Sequence, residues 1–225
     1  MAEVKIIVTE DGSHSLYHAK LNETYHSFHG AVQESRYVFL KEGLDFLRTS
    51  FALDKIRVLE VGFGTGLNAI LTSEWAVANK VRVEYTTLEP FPLKSEVYEA
   101  LNYHEFFEDK TVKERFLALN NAAWETKFQQ NEFFNILKSE AKLQDFNSDS
   151  LFDIIFFDAF APSKQSEMWD LEVIEKTALL LDSNGVFVTY CAKGQLKRDL
   201  KAVGLAVETL PGPPGKKEMV RGVKS

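Results

Sequence analysis

A glycine-rich turn at residues 62–66 constrains the fold of this chain more than any other feature. An apolar run at residues 56–61 precedes it, flanked by Lys55 and Gly62, which is typical of a buried parallel strand. After the turn, apolar residues recur along one helical face, namely Leu67, Ile70, Leu71, Trp75 and Ala78. Because ligands bind at the carboxyl ends of parallel strands, this strand–turn–helix unit predicts a ligand site.

Strand and helix patterns alternate along the rest of the chain. Apolar runs predict further strands at residues 81–88, 133–137, 153–157 and 185–190. Helices are predicted at residues 36–48, 93–101, 167–181 and 195–202, with a helical insertion around 104–130. This alternation predicts an α/β fold, in which a mostly parallel, Rossmann-like sheet carries helices on both faces.

The two ends of the chain depart from this alternation. Two alternating runs around Asp11 and Gly12 predict a small β-hairpin. Val207 and residues 219–223 predict a closing antiparallel pair. We therefore predict one compact unit, with a hairpin and lid extension at residues 1–50 and a Rossmann-like domain at residues 51–225.

Composition excludes several classes of protein. With 225 residues, 45% hydrophobic and 26% charged, the chain matches a globular domain. Its apolar runs are far shorter than the ~20 residues that span a bilayer, and the N-terminus lacks a signal-peptide pattern. Cys191 is the only cysteine, and His26 and His29 have no third ligand nearby, so neither a disulfide nor a metal site is expected. We predict a cytoplasmic protein with no membrane partner.

The glycine spacing discriminates between nucleotide ligands. Position 67 is Leu, so the G-x-G-x-x-G fingerprint of NAD enzymes is absent. The E-x-G-x-G-x-G form is found instead in enzymes that bind S-adenosylmethionine. An acid ends the second strand about 20 residues beyond the loop, where it can accept hydrogen bonds from both ribose hydroxyls. The alternative is a tight turn with an incidental surface glutamate. The predicted cofactor-binding residues are Glu60, Gly62, Phe63, Gly64, Thr65, Gly66, Asn68, Glu89 and Pro90.

Asp158 follows the strand at residues 153–157 directly, so it should project from the carboxyl edge of the sheet beside the cofactor. An alkylamine is mostly protonated near neutral pH and needs its lone pair for attack, so a carboxylate there could accept the proton or orient the amine. In the loop that follows, Phe160 could stack on a base and Pro162 limits flexibility. The alternative role for Asp158 is a helix N-cap or a turn.

Four segments resemble the methyltransferase half of the bifunctional tRNA-modifying enzymes called MnmC, whose stand-alone versions are called MnmD. The segments span nearly the whole chain, and the block at 158–169 is the most specific. They are SFHGAVQESRYVFL at 27–40, GFGTGLN at 62–68, DAFAPSK-x-x-x-MW at 158–169 and GKKEM at 215–219.

The resemblance implies methyl transfer from S-adenosylmethionine to the primary amine of 5-aminomethyl-2-thiouridine at the tRNA wobble position. It places the catalytic aspartate of the family on Asp158. The FAD-binding oxidase half of MnmC has no counterpart in these residues, so no FAD is expected. The anticodon loop of tRNA is the expected partner, and a separate FAD oxidase or another wobble-uridine enzyme is a further candidate.

The remaining candidate residues concern the substrate. Residues 193–225 hold eight Lys and Arg against three acids in a chain of net charge −7, and the basic residues, including Lys216 and Lys217, could track phosphates; the alternative is a solvated face. Glu34 and Arg36 could close the cofactor pocket, and an ion pair at the start of a helix explains them equally well.

Three rival functions stay open. A small-molecule or protein amine could be the substrate of the same site. The chain could also be a non-catalytic cofactor-binding subunit of a tRNA-modification complex. A nicotinamide dehydrogenase is disfavoured by the glycine spacing.

Overall fold

The computed structural model describes residues 4–225 as two sheets and the helices packed on them. The strands are β1 Val4–Val8, β2 His14–His18, β3 Glu23–Thr24, β4 Lys55–Val61, β5 Arg82–Leu88, β6 Lys127–Gln129, β7 Phe134–Ser139, β8 Phe152–Phe157, β9 Leu181–Thr189, β10 Leu205–Pro211 and β11 Glu218–Lys224. The α-helices are α1 Ala31–Ser35, α2 Phe46–Phe51, α3 Leu67–Asn79, α4 Ser95–Tyr98, α5 Val112–Asn121, α6 Leu171–Leu180 and α7 Gly194–Ala202.

The main sheet has eight strands in the order β10-β11-β9-β8-β4-β5-β7-β6. The five central strands, from β9 to β7, are parallel, and antiparallel strands flank them on both sides. The chain builds outward from β4 through β5 to β7, then crosses to the other side of β4 to form β8. The carboxyl ends of β4 and β8 therefore form the switch point where open α/β sheets bind ligands.

Apolar side chains on alternate residues of the central strands bury both faces of this sheet. Ile154 and Phe156 of β8 pack into one core with α3, whereas Ile155 and Phe157 pack into the other with α6. Both faces are covered, as a parallel sheet requires. The structure thus confirms the predicted α/β fold with helices on both faces.

The N-terminal region forms a second sheet of three strands, β1-β2-β3, and confirms the predicted hairpin. At its turn, Asp11 Oδ1 accepts hydrogen bonds from the backbone N–H of Ser13 and the hydroxyl of Thr9, at 2.9 and 2.8 Å. Beyond β3 the chain is helical from α1 to α2, with wider π-helical turns at Arg36–Asp45 between them. That segment buries Val38 and Phe39 in the main core. The division at residue 50 stays a prediction.

Two predicted helices differ from the structure. Between residues 93 and 101 only the four residues of α4 are helical, because this segment is fixed by tertiary contact: the Tyr98 hydroxyl donates to Asn121 at 2.8 Å. The predicted helix at 167–181 is interrupted by extended backbone at Asp170, and Leu181 already belongs to β9. None of the helices within residues 4–225 is long and apolar enough to cross a membrane.

Candidate active site

The glycine turn after β4 lies directly against the chain that leaves β8. Gly62 has φ +97°, and a Cβ on it would lie 2.8 Å from the carbonyl oxygen of Asp158. The Asp158 N–H in turn donates to the Val61 carbonyl at 3.0 Å. Only glycine permits both the positive φ and this approach. The turn and Asp158 therefore form one edge of a single site.

Glu89, after β5, holds the other side of the turn. Its Oε2 accepts from the Gly64 N–H at 3.0 Å and its Oε1 from the Phe91 N–H at 2.9 Å. Burial raises the pKa of this carboxyl, and the two backbone donors oppose that shift. Each carboxylate oxygen keeps a further lone pair for a ligand hydroxyl. Pro90, half-buried, follows it.

Glu60, Phe63 and Thr65 lie in the interior below the turn. Glu60 is fully buried, and its Oε2 accepts from the Thr87 hydroxyl at 2.6 Å. Burial raises the pKa of Glu60 to about 8. Thr65 accepts from the Tyr103 hydroxyl at 3.1 Å.

Asp158 receives a hydrogen bond from Asn68, whose Nδ2 donates to Oδ2 at 2.8 Å. Burial and the nearby Glu34 raise the pKa of Asp158 to about 7, while Asn68 and Lys216 oppose the rise. A carboxyl group that titrates near neutral pH can accept a proton from a substrate and release it again.

Glu34 and Lys216 meet beside Asp158, although they are 182 positions apart. The Lys216 ammonium binds Glu34 and lies 3.8 Å from the centroid of the Tyr190 ring. Glu34 Oε2 also accepts from the Ser27 N–H at 2.8 Å, and the Tyr190 hydroxyl donates to the Ala159 carbonyl at 2.8 Å. The pair thus ties the N-terminal segment to the β10–β11 hairpin across the site.

Arg36 and Lys217 lie apart from this pair. Arg36 donates to the Phe106 carbonyl at 2.7 Å and lies over the Phe107 ring. Within residues 4–225, the ion pair of Glu34 is with Lys216 and not with Arg36. Lys217, next along the chain, is exposed.

The loop after Asp158 is fixed by aromatic contacts. Phe160 packs edge-on against Tyr25, with ring centroids 5.0 Å apart, and its carbonyl accepts from Trp169 Nε1 at 2.8 Å. Tyr25 also lies over Gly64, where a Cβ would come within 3.2 Å of the Tyr25 ring. Pro162 is half-buried in the same loop. Tyr25 therefore bridges the glycine turn and the Asp158 loop.

A cleft of about 70 Å³ opens beside the turn. Behind it, the ammonium of the buried Lys138 donates to the Asn120 carbonyl and lies 4.7 Å from the Trp124 ring centroid. Burial lowers the pKa of Lys138 to about 8. The cleft is lined by Phe63, Gly64, Leu93, Tyr98, Asn120 and Trp124.

Sequence reasoning missed several residues of this site, including Tyr25, Asn120, Trp124 and Tyr190. Tyr190 could have been found, because it ends the predicted strand at 185–190 on the same sheet edge as Asp158. The others come from turns and helices whose approach to the site has no local sequence signal.

This residue set fits S-adenosylmethionine. The glycine turn would hold the amino-acid end of the cofactor, and the Glu89 carboxylate would accept hydrogen bonds from the ribose hydroxyls. The aromatic cleft beside Gly64 has flat walls suited to a purine ring.

Comparisons with known proteins agree with the geometry. A family model described as S-adenosyl-L-methionine-dependent methyltransferase matches residues 103–225. The chain is 28% identical over 209 residues to the tRNA 5-methylaminomethyl-2-thiouridine biosynthesis bifunctional protein MnmC of Campylobacter hominis, covering 92% of this chain and 31% of that protein. The protein of the same name from Leptospira borgpetersenii is 30% identical over 217 residues, covering 90% of this chain and 32% of that protein.

A solved structure is also similar. MNMC2 from Aquifex aeolicus superposes with a TM-score of 0.78 at 27% identity, covering 99% of this chain and 70% of that chain. The chain spans about a third of the length of the curated relatives it matches.

Proposed function

Because the chain belongs to the S-adenosyl-L-methionine-dependent methyltransferase family, we propose that it methylates the primary amine of 5-aminomethyl-2-thiouridine at the tRNA wobble position, giving 5-methylaminomethyl-2-thiouridine. The observation that carries the proposal is the position of Asp158, a half-buried carboxyl at the switch point beside the glycine turn, where it accepts a hydrogen bond from Asn68 and desolvation raises its pKa to about 7. The names of the relatives support the substrate. A tRNA substrate agrees with the cytoplasmic location expected from the sequence.

Asp158 would act on the proton of the amine. Within residues 4–225 its side-chain hydrogen bond is from Asn68 to Oδ2, which leaves Oδ1 to face the substrate. Oδ1 takes one proton from the substrate ammonium, and the freed nitrogen lone pair forms the new N–C bond. When bound, S-adenosylmethionine would supply the methyl group in electrophilic form: its sulfur–methyl bond would break, the electron pair would go to sulfur, and S-adenosylhomocysteine would leave. Because the pKa of Asp158 is raised, the carboxylate is a stronger proton acceptor than an ordinary aspartate.

The substrate base would enter between the Asp158 loop and the N-terminal segment. A wobble base is unpaired, so it can be splayed out of the anticodon loop and stacked on an aromatic ring. Phe160, half-buried beside Tyr25, offers such a ring. Glu34 and Lys216 would keep the segment closed over the base, and the exposed Lys217 would contact phosphates.

Methyl transfer from labelled S-adenosylmethionine to tRNA tests this function, using tRNA from cells that lack the gene. Nucleoside mass spectrometry should show a gain of about 14 Da on the aminomethyl wobble uridine. The matched control is tRNA from wild-type cells, in which the position is already modified. No incorporation by a protein that binds S-adenosylhomocysteine would contradict the tRNA assignment and point to a small-molecule or protein amine.

A further inference from the structure

Within residues 4–225, a group of buried polar atoms without hydrogen-bond partners lies near Asp158. The four atoms belong to side chains from β4, β5 and α3, each exposed by 3% or less. Buried polar atoms are nearly always paired, so four orphans in one place need an explanation. The atoms are Glu60 Oε1, Asn68 Oδ1, Thr72 Oγ1 and Tyr85 OH.

These atoms surround the Glu60 carboxyl. Glu60 pairs with Thr87 of the neighbouring strand β5, and the Thr87 hydroxyl donates to Oε2. Asn68 and Thr72, four residues apart on α3, lie on the same helical face. Asn68 and Tyr85 lie near enough to Glu60 to lower its pKa, but burial outweighs both. Because Oε2 accepts from Thr87, Oε1 is the Glu60 oxygen left to pair with the other unpaired atoms.

The protonation state of Glu60 decides whether these atoms can pair. An ionised carboxylate is only an acceptor, and so is Asn68 Oδ1, so the two oxygens would repel each other. A second negative charge would also lie near Asp158 with no cation in direct contact. A neutral carboxyl instead presents an O–H at Oε1 that can donate to Asn68 Oδ1. That bond pairs two orphans and turns the Asn68 N–H₂ group toward Asp158 Oδ2.

We propose that Glu60 is a positioning residue that stays neutral and donates to Asn68, thereby aiming the Asn68 amide at Asp158, and that it is not an ionised contact to the cofactor. The catalytic consequence rests on the proposed role of Asp158. Glu60 is fully buried below the glycine turn, which is consistent with action through a neighbouring side chain.

Glu60 should lose this role in alkaline solution. The titratable groups that face it are Asp158 from the loop after β8, whose charge disfavours ionisation of Glu60, and Tyr85 from β5, whose hydroxyl group favours it; burial is the largest cause of the raised pKa. The pKa of Glu60 is about 8 in the folded protein, above its value of about 4.5 in the unfolded chain. Protonation of Glu60 therefore stabilises the folded state in full below about pH 4.5, and this stabilisation is lost as the pH rises through 8. The wild-type protein should therefore lose stability over this window relative to a variant that cannot ionise.

Two variants, Glu60→Gln and Glu60→Met, distinguish a neutral Glu60 that donates to Asn68 from an ionised Glu60 that contacts the cofactor. Gln keeps a donor for Asn68 and an acceptor for Thr87, whereas Met keeps the length and loses both. We expect Gln to keep kcat within about threefold and Met to lose about tenfold or more, each with an S-adenosylhomocysteine Kd within about threefold of wild type. In kcat/KM against pH, the fall above about pH 8 in wild type should vanish in Glu60→Gln. Glu89→Gln is the matched control at the half-buried carboxyl beside the glycine turn and should weaken S-adenosylhomocysteine binding about tenfold.

The thermal unfolding midpoint gives a readout that needs no substrate. The unfolding midpoint of Glu60→Gln should rise relative to that of wild type as the pH increases from 5 to 8.5. A difference in unfolding midpoint that stays constant with pH would overturn the proposal. An S-adenosylhomocysteine Kd raised as much in Glu60→Gln as in Glu89→Gln would also overturn it. If wild type fails to methylate the tRNA, the proposed function fails, whereas the unfolding and binding data still decide the state of Glu60.

Discussion

Acidic residues at the two ends of the central strands differ in their contacts with cations and in the direction of their pKa shifts. At the amino end, Arg57 of β4 binds Asp153 of β8 and Asp182 of β9 at 2.6 to 3.0 Å. Hydrogen bonding to Arg57 lowers the pKa of Asp182. At the carboxyl end, burial raises the pKa of Glu60 and Asp158, and the nearest cation, Lys216, is paired with Glu34. At one end a shared cation binds the acids, and at the other the acids lie without a directly bound cation and their pKa values are raised.

The largest expected effect of any substitution at the two ends is the loss of turnover in Asp158→Ala. A general base contributes about 10²- to 10⁴-fold, so kcat should fall by that factor while the S-adenosylhomocysteine Kd changes little. Radiolabel transfer and calorimetric titration measure the two quantities. Asp153→Ala, at the opposite end of the strand that precedes Asp158, is the control and should keep kcat. Retained turnover in Asp158→Ala would remove its catalytic role.

A substitution at the amino ends of the central strands should instead lower the stability of the fold. Arg57→Met removes the cation shared by Asp153 and Asp182, and we expect a loss of about 1–2 kcal/mol in the free energy of unfolding, a modest value because Arg57 is 33% exposed. Urea unfolding at pH 7 measures it. The loss should shrink in acid, because the depressed pKa of Asp182 gives stability that disappears as pH falls through the folded value. A large change in kcat with unchanged stability would contradict the division between the two ends.

The smallest effects should distinguish two adjacent lysines at the carboxyl end. Lys217→Glu should weaken tRNA binding about tenfold or less at low salt, because its exposed charge contacts phosphate. Lys216→Met should instead move the acid limb of the kcat/KM profile to higher pH, because Lys216 lowers the pKa of Asp158. Filter binding and pH–rate profiles measure these changes. Equal effects of both variants on tRNA affinity would show that Lys216 also acts as a phosphate contact.

Local sequence patterns were sufficient for the parts of the fold and site that lie at strand ends. The runs before Gly62 and Asp158 predicted two strands whose carboxyl ends meet, and the structure confirms that they are neighbours. The patterns failed at residue 170, where apolar spacing continues although the backbone of Asp170 is extended. Just before it, Trp169 donates to the Phe160 carbonyl, a contact between segments that apolar spacing does not encode. The pairing of Lys216 with Glu34 was equally inaccessible, because periodicity carries no information about contacts between distant segments.

The contact between Glu34 and Lys216 also has a consequence for the order in which the protein becomes active during its synthesis. Residues 4–189 contain the glycine turn, Asp158 and all the parallel strands, so a growing chain could form most of the sheet early. Glu34 would remain without its lysine until residue 216 has left the ribosome. A nascent chain would thus expose an open site in which Glu34 lacks its cation, and closure over a substrate would become available only after the turn between β10 and β11 has been synthesised.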